Sequence, residues 1–160
     1  MYELVLKSCK TFYKDKLVFF DIGVDSERIV ALGKGLRGEQ KIDCSHKFVF
    51  PGLIDVHVHF RTPGAERKED WKHASRAALH GGITSVLDMP NNTPAICSEK
   101  ALSKKEKIVS KNAGVDYGFY LGASADSVEL DEKTAPKFAA FKLYMASTTG
   151  NLLLDKHELI

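Results

Sequence analysis

Two rhythms of apolar and polar residues divide the chain near Pro51-Gly52. Up to about Val49, short apolar stretches alternate with turn signals: Leu4-Val5-Leu6, residues 17–22, residues 28–32 and Lys41-Ile42-Asp43. Stretches of this length predict the strands of a small antiparallel sheet, sandwich-like and spanning residues 1–50. Gly33, Gly35 and Gly38 lie between two of these strands. No helix with a following acidic residue comes after them, so they predict a turn rather than a nucleotide-binding loop.

After Gly52 the rhythm lengthens. Strands are predicted over residues 53–60, 83–89, 116–121 and 139–145, and helices over 66–80 and 100–112, with Gly81-Gly82 as a helix stop. Alternating strands and helices imply parallel pairing and an α/β architecture. Four βα units fall short of a closed eight-stranded barrel, which takes about 250 residues. Residues 51–160 are therefore expected to form only part of one. Asp155-Lys156-His157-Glu158 suits the start of a further helix.

Composition narrows the class. The chain has 160 residues, 44% of them hydrophobic, which is enough for a real core. Its 23 basic and 21 acidic residues leave a formal charge of +2, which argues against nucleic acid or an anionic membrane as partner. The lysines within residues 103–111 are read as a solvated helix face. No apolar run approaches the roughly 18 residues of a membrane span, and Met1-Tyr2-Glu3-Leu4 does not open a signal peptide, so a cytoplasmic protein is expected. Cys9, Cys44 and Cys97 are odd in number and unpaired in spacing, which predicts neither a disulfide framework nor a structural zinc knuckle.

The densest chemistry lies in Asp55-Val56-His57-Val58-His59-Phe60-Arg61. Residues two apart in a strand share a face, so His57 and His59 can offer two imidazoles to one metal from the carboxyl end of the first barrel strand. Asp55 and Arg61 have the same parity, against apolar Ile54, Val56, Val58 and Phe60. Four polar groups on one face are costly in a buried strand unless they share a site. His46, His73, His80 and His157 lack such a setting and read as surface residues.

The run from Asp55 to Pro63, led in by Pro51-Gly52-Leu53-Ile54, resembles the dihydroorotase signature of the amidohydrolase superfamily. The likeness continues through Met89-Pro90-Asn91-Asn92-Thr93-Pro94 to Phe141-Lys142-Leu143-Tyr144-Met145. It implies the first half of a metal-dependent-hydrolase (β/α)8 barrel, incomplete in this chain and preceded by the small β domain. It also implies a binuclear zinc site in which His57 and His59 ligate the more buried metal and a carboxylated Lys142 bridges both. A free lysine amine, with a pKa near 10.4, is a poor ligand, whereas a carbamate offers two oxygens.

By the same resemblance Arg61 and Asn91 bind the substrate carboxylate, and Asp55 orients a ligand or the loop. The substrate is then a small cyclic amide, dihydroorotate, opened reversibly to N-carbamoyl-aspartate in pyrimidine synthesis. Histidines of the fifth and sixth barrel strands and the proton-transfer aspartate of the eighth would lie beyond Ile160, so no catalytic acid or base is expected within these residues and the isolated chain would be inactive. Allantoinase-like relatives tend to carry asparagine at the place of Arg61, and Thr62 departs from the glutamate common in many relatives. Hydantoinase, dihydropyrimidinase or allantoinase activity, or a non-catalytic scaffold, are the alternatives. Homo-oligomerisation is left open.

Overall fold

The computed structural model describes residues 1–124, 135–148 and 152–154. The expected helix start at 155–158, and with it His157, lies outside the described residues. The chain divides into two compact units, Met1–Pro51 and Gly52–Ile160.

In the first unit, β1 (Tyr2–Tyr13), β2 (Lys16–Asp25), β3 (Arg28–Gly33) and β4 (Gly38–Asp43) form one four-stranded sheet in the order β3-β2-β1-β4. The first three strands run antiparallel, as the meander of turn signals predicts, whereas β4 joins the far edge of β1 in parallel. The four residues after β3 must therefore cross back over the sheet. Asp21 holds that crossing. Its carboxylate accepts from Lys7 Nζ at 2.5 Å, from the Leu36 N–H at 3.0 Å and from the Ser8 N–H at 2.9 Å, the last at a bulge in β1. Burial would raise the Asp21 carboxyl pKa, but these donors outweigh it and hold the group below its ordinary value. Cys9, Ile22 and Cys44 pack beneath the sheet as a small core. All three cysteines are free thiols, and burial beside Cys44 pushes the Cys9 thiol up to about 11.

The second unit alternates strand and helix: β5 (Leu53–Val58), α1 (Trp71–His80), β6 (Ile83–Asp88), α2 (Glu99–Val109), β7 (Asp116–Gly122) and β8 (Ala140–Lys142). Its four strands are parallel and ordered β5-β6-β7-β8, the succession expected for the opening part of a barrel. Helix α1 starts at Trp71 rather than at 66 because Asp70 caps it, its side chain accepting from the His73 N–H. Trp71, Ala74, Ser75 and Ala78 then form one buried stripe. Trp71 packs edge-on against Phe60, Tyr117 and Phe119, tying α1 to the segment after β5 and to β7. Gly82, with φ +81°, turns the chain from α1 into β6.

The other face of this sheet is open, with Leu53, Ile54 and Val56 of β5 and Phe141 of β8 exposed. The regular alternation expected in β5 fails here: Ile54 is 67% exposed, whereas Phe60 is buried and Val58 packs against the same core. Between Asp55 and Val58 the β5/β6 register shifts, and the extra residue on β5 reverses which parity faces the helices. The lysine-rich stretch also departs from expectation at one place. Lys105 is fully buried, in line with Leu102 and Val109 on the inner stripe of α2. Among the described residues no helix is long and apolar enough to cross a membrane.

Asp21→Asn keeps the shape but weakens three hydrogen bonds, and should destabilise the protein by about 1–3 kcal/mol at neutral pH. Because the folded-state pKa of Asp21 is depressed, its contribution is complete above the unfolded value and is lost as pH falls from about 4 through the folded value. Urea melts of both proteins across that range should show the gap narrowing toward acid; a gap independent of pH would contradict the assignment.

Candidate active site at the carboxyl edge of the parallel sheet

Parallel strands bring their carboxyl ends to one edge, and the residues singled out from sequence gather there. His57 lies near the end of β5 and His59 just beyond it, Asn91 follows β6, and Lys142 ends β8 in register with Gly122 of β7. The His57 and His59 rings are 5.3 Å apart between centroids and inclined at 57°. Two imidazoles on one tetrahedral zinc, with Zn–N bonds near 2.05 Å, would have ring centres roughly 5 Å apart. The separation of the pair is compatible with a shared cation.

His59 Nδ1 lies 2.8 Å from Asn91 Oδ1. An amide oxygen can only accept, so Nδ1 carries the proton and Nε2 is left with its lone pair. Burial lowers the His59 pKa, the Asn91 contact opposes this, and the charges of Arg61 and His57 lower it further; the net shift is downward. The neutral ring, the form that ligates metal, is thereby favoured.

Asp55 takes the His57 backbone N–H on its Oδ1 at 3.0 Å. It lines a cavity of about 350 Å³ together with His59, Glu69 and the helix-side residues Ala74 and Val86. His57 is not among the residues lining that cavity. Arg61 sits in a tight turn with φ +61°, closed by the Thr62 N–H donating to the Phe60 carbonyl at 2.8 Å. A non-glycine residue in that region stores strain of order 1–3 kcal/mol, which is found most often where a side chain must be aimed. The nearby Glu66 carboxylate accepts from the Gly64 N–H, and that of Asp55 from His57.

Lys142 is separated from β5 by β6 and β7, and its Nζ lies 5.3 Å from the centre of the Tyr144 ring. Burial, then the charge of Asp88, pushes the Tyr144 phenol up to about 12. Tyr120 reaches across β6 to donate to the Val56 carbonyl at 3.0 Å. Among the described residues no three His, Cys, Asp or Glu side chains converge as a ready metal cage. His73 is an exposed residue held by Asp70, and His46 and His80 are exposed as well.

Beneath this edge lies a network that the sequence reading missed. Asp88, the last residue of β6, accepts from the Phe60 N–H at 2.8 Å and pairs with Lys105 Nζ at 2.6 Å, both side chains being essentially inaccessible. Lys105 also donates to Asn92 Oδ1 at 2.9 Å and to the Met89 carbonyl at 3.2 Å, while Asn92 Nδ2 reaches the Pro63 carbonyl. Burial lowers the Lys105 pKa, against the pull of Asp88.

With this geometry in view, the chain belongs to the amidohydrolase family, whose model matches residues 48–149. Within that family it is 40% identical over 151 residues to the dihydroorotase of Methanothermobacter thermautotrophicus, covering 92% of this chain and 34% of that protein. It is 38% identical over 138 residues to the dihydroorotase of Halobacterium salinarum, covering 84% and 32%. Among solved structures it superposes on the L-hydantoinase (dihydropyrimidinase) of Arthrobacter aurescens with a TM-score of 0.87 at 25% identity, over 96% of this chain and 35% of that one. The chain thus spans about a third of the length of the relatives it matches.

Gly64 joins the two loops that carry Arg61 and Asn91. At φ +99°, a Cβ there would lie 1.9 Å from the Thr93 carbonyl oxygen. Gly64→Ala is expected to cost more than about 1 kcal/mol and to loosen the contact between Pro63 and Asn92. A thermal melt checks the first part, and amide exchange at Thr93, whose N–H donates to the Pro63 carbonyl, checks the second.

Proposed function

We propose that this chain supplies the metal-binding and carboxylate-binding side of a dihydroorotase, which reversibly opens dihydroorotate to N-carbamoyl-aspartate in cytoplasmic pyrimidine synthesis. The observation that carries the reading is the ordered set His57, His59, Arg61, Asn91 and Lys142 along one edge of a parallel sheet, in a chain 40% identical to a dihydroorotase over 151 residues. In this reading residues 1–50 are a small β domain and residues 51–160 are the first four βα units of the barrel.

In this reading His57 and His59 would hold zinc through ring nitrogens, and a carboxylated Lys142 would add oxygen ligands. Cations bound there would lower the pKa of a bound water toward about 7 and polarise the scissile carbonyl. Arg61 presents its planar fork to the substrate carboxylate, where two-point contact fixes the orientation of the ring. Asn91 serves the same carboxylate from the β6 side, and Asp55 fixes the end of β5 through the His57 N–H. The aspartate that moves the proton to the leaving nitrogen belongs, in this reading, to sequence after Ile160.

A second reading keeps the chemistry and takes a hydantoin or dihydropyrimidine as substrate. The fit to the L-hydantoinase structure favours it. Arg61 favours the first, because a neutral ring gives its guanidinium no carboxylate to pair with.

Full-length protein loaded with zinc should interconvert dihydroorotate and N-carbamoyl-aspartate in preference to hydantoin, dihydrouracil or allantoin. Arg61→Met should lower kcat/KM for dihydroorotate by about 10- to 100-fold, the worth of one charged hydrogen-bonded contact. His57→Ala and His59→Ala should each reduce bound zinc. Turnover of hydantoin but not dihydroorotate would select the second reading. Less than a tenth of an equivalent of zinc per chain in the full-length protein would remove both.

A further inference from the structure

We propose that Lys105 and Asp88 are positioning residues that pin both sides of the hydrogen bond between His59 and Asn91. The inference rests on reading His57 and His59 as metal ligands.

The first side is the end of β5. His59 and Arg61 flank Phe60, whose N–H donates to Asp88 Oδ1, so this carboxylate fixes the peptide joining His59 to Phe60. The second side is the loop after β6. Asn91 lies between Met89 and Asn92, and both of those residues accept from Lys105 Nζ. One ammonium group therefore orients the carboxylate that holds the histidine side and the two acceptors that bracket the asparagine side. If either moved, the 2.8 Å contact that sets the His59 tautomer would be lost.

Lys105 has no solvent-exposed surface, and its Nζ lies 4.9 Å from the centre of the Phe119 ring. It cannot touch substrate, and stability alone does not explain it. An apolar side chain on the inner stripe of α2 would fill the same space, and such replacements of buried pairs are often neutral or stabilising. What an apolar pair could not do is direct three acceptors at once.

The test uses full-length protein, free zinc as the titrated probe, and amide exchange at Phe60. Lys105→Met leaves a buried carboxylate alone, at a cost that can unfold the chain, so Asp88→Leu/Lys105→Met, which removes both charges at similar volume, is the decisive variant. Asp88→Asn is a milder companion. The expected result is a cooperative melt in the double variant, zinc affinity reduced 10- to 100-fold, and Phe60 exchange at least about tenfold faster. Val109→Ala, which weakens the same helix without touching the pair, should leave zinc affinity unchanged.

A folded double variant with the parent's zinc affinity would overturn the proposal. So would unchanged Phe60 exchange, or an equal loss of zinc affinity in Val109→Ala. If the parent protein takes up no zinc, the metal reading falls, while faster Phe60 exchange in the variants would still establish that the pair positions the strand end.

Discussion

Burying a carboxylate and an ammonium together costs several kcal/mol of desolvation for each, and it is tolerated only where their remaining hydrogen-bonding capacity is used. Asp88 and Lys105 use most of that capacity, with Asp88 Oδ2 left to the ion pair alone. Beyond their mutual contact, the carboxylate takes the Phe60 N–H, and the ammonium serves Met89 and Asn92. Each of these acceptors or donors belongs to a loop at the carboxyl edge of the sheet. The energetic requirement of the pair thus becomes a geometric requirement on the site: the two loops can be satisfied only in one arrangement.

The histidine pair depends on that arrangement in a way that strand periodicity cannot supply. A regular β5 would carry Asp55, His57, His59 and Arg61 on one face. In the structure a bulge after Asp55 breaks the alternation, and the chain beyond Val58 leaves the ladder. The orientation of His59 is then set by Asn91 from outside the strand, and that of Arg61 by a tight turn. The site is built on the rim of a rigid sheet, but its aim comes from hydrogen bonds between loops.

Much of this was legible in the sequence, and the exceptions are physical. The change from short strands to alternating strand and helix appears where apolar spacing changes, because burial on one face imposes its own period. His57 and His59 stood out because residues two apart in a strand share a face, whereas the roles of Arg61, Asn91 and Lys142 were legible only through the resemblance to the dihydroorotase signature. Lys105 was misread because a lysine among lysines suggests a solvated face. The available signal was its spacing from Leu102 and Val109, which puts it on the stripe where the pattern calls for an apolar residue. The bulge in β5 left no trace, since parity arguments presume regular pairing. The parallel addition of β4 to β1 was equally hidden, because hairpin-like spacing does not reveal a chain that crosses its own sheet.

The turn at Arg61 carries a consequence for how this surface could diversify. A left-handed backbone admits glycine and asparagine readily, tolerates unbranched side chains at some strain, and strongly disfavours valine, isoleucine and threonine. The position that would read the substrate is therefore restricted to a small alphabet before any ligand is considered. Exchange between arginine and asparagine leaves the backbone path intact, so recognition of a charged ring or a neutral one could alternate by single replacements, while the branched apolar residues that would suit a greasy ligand are barred by the main chain itself.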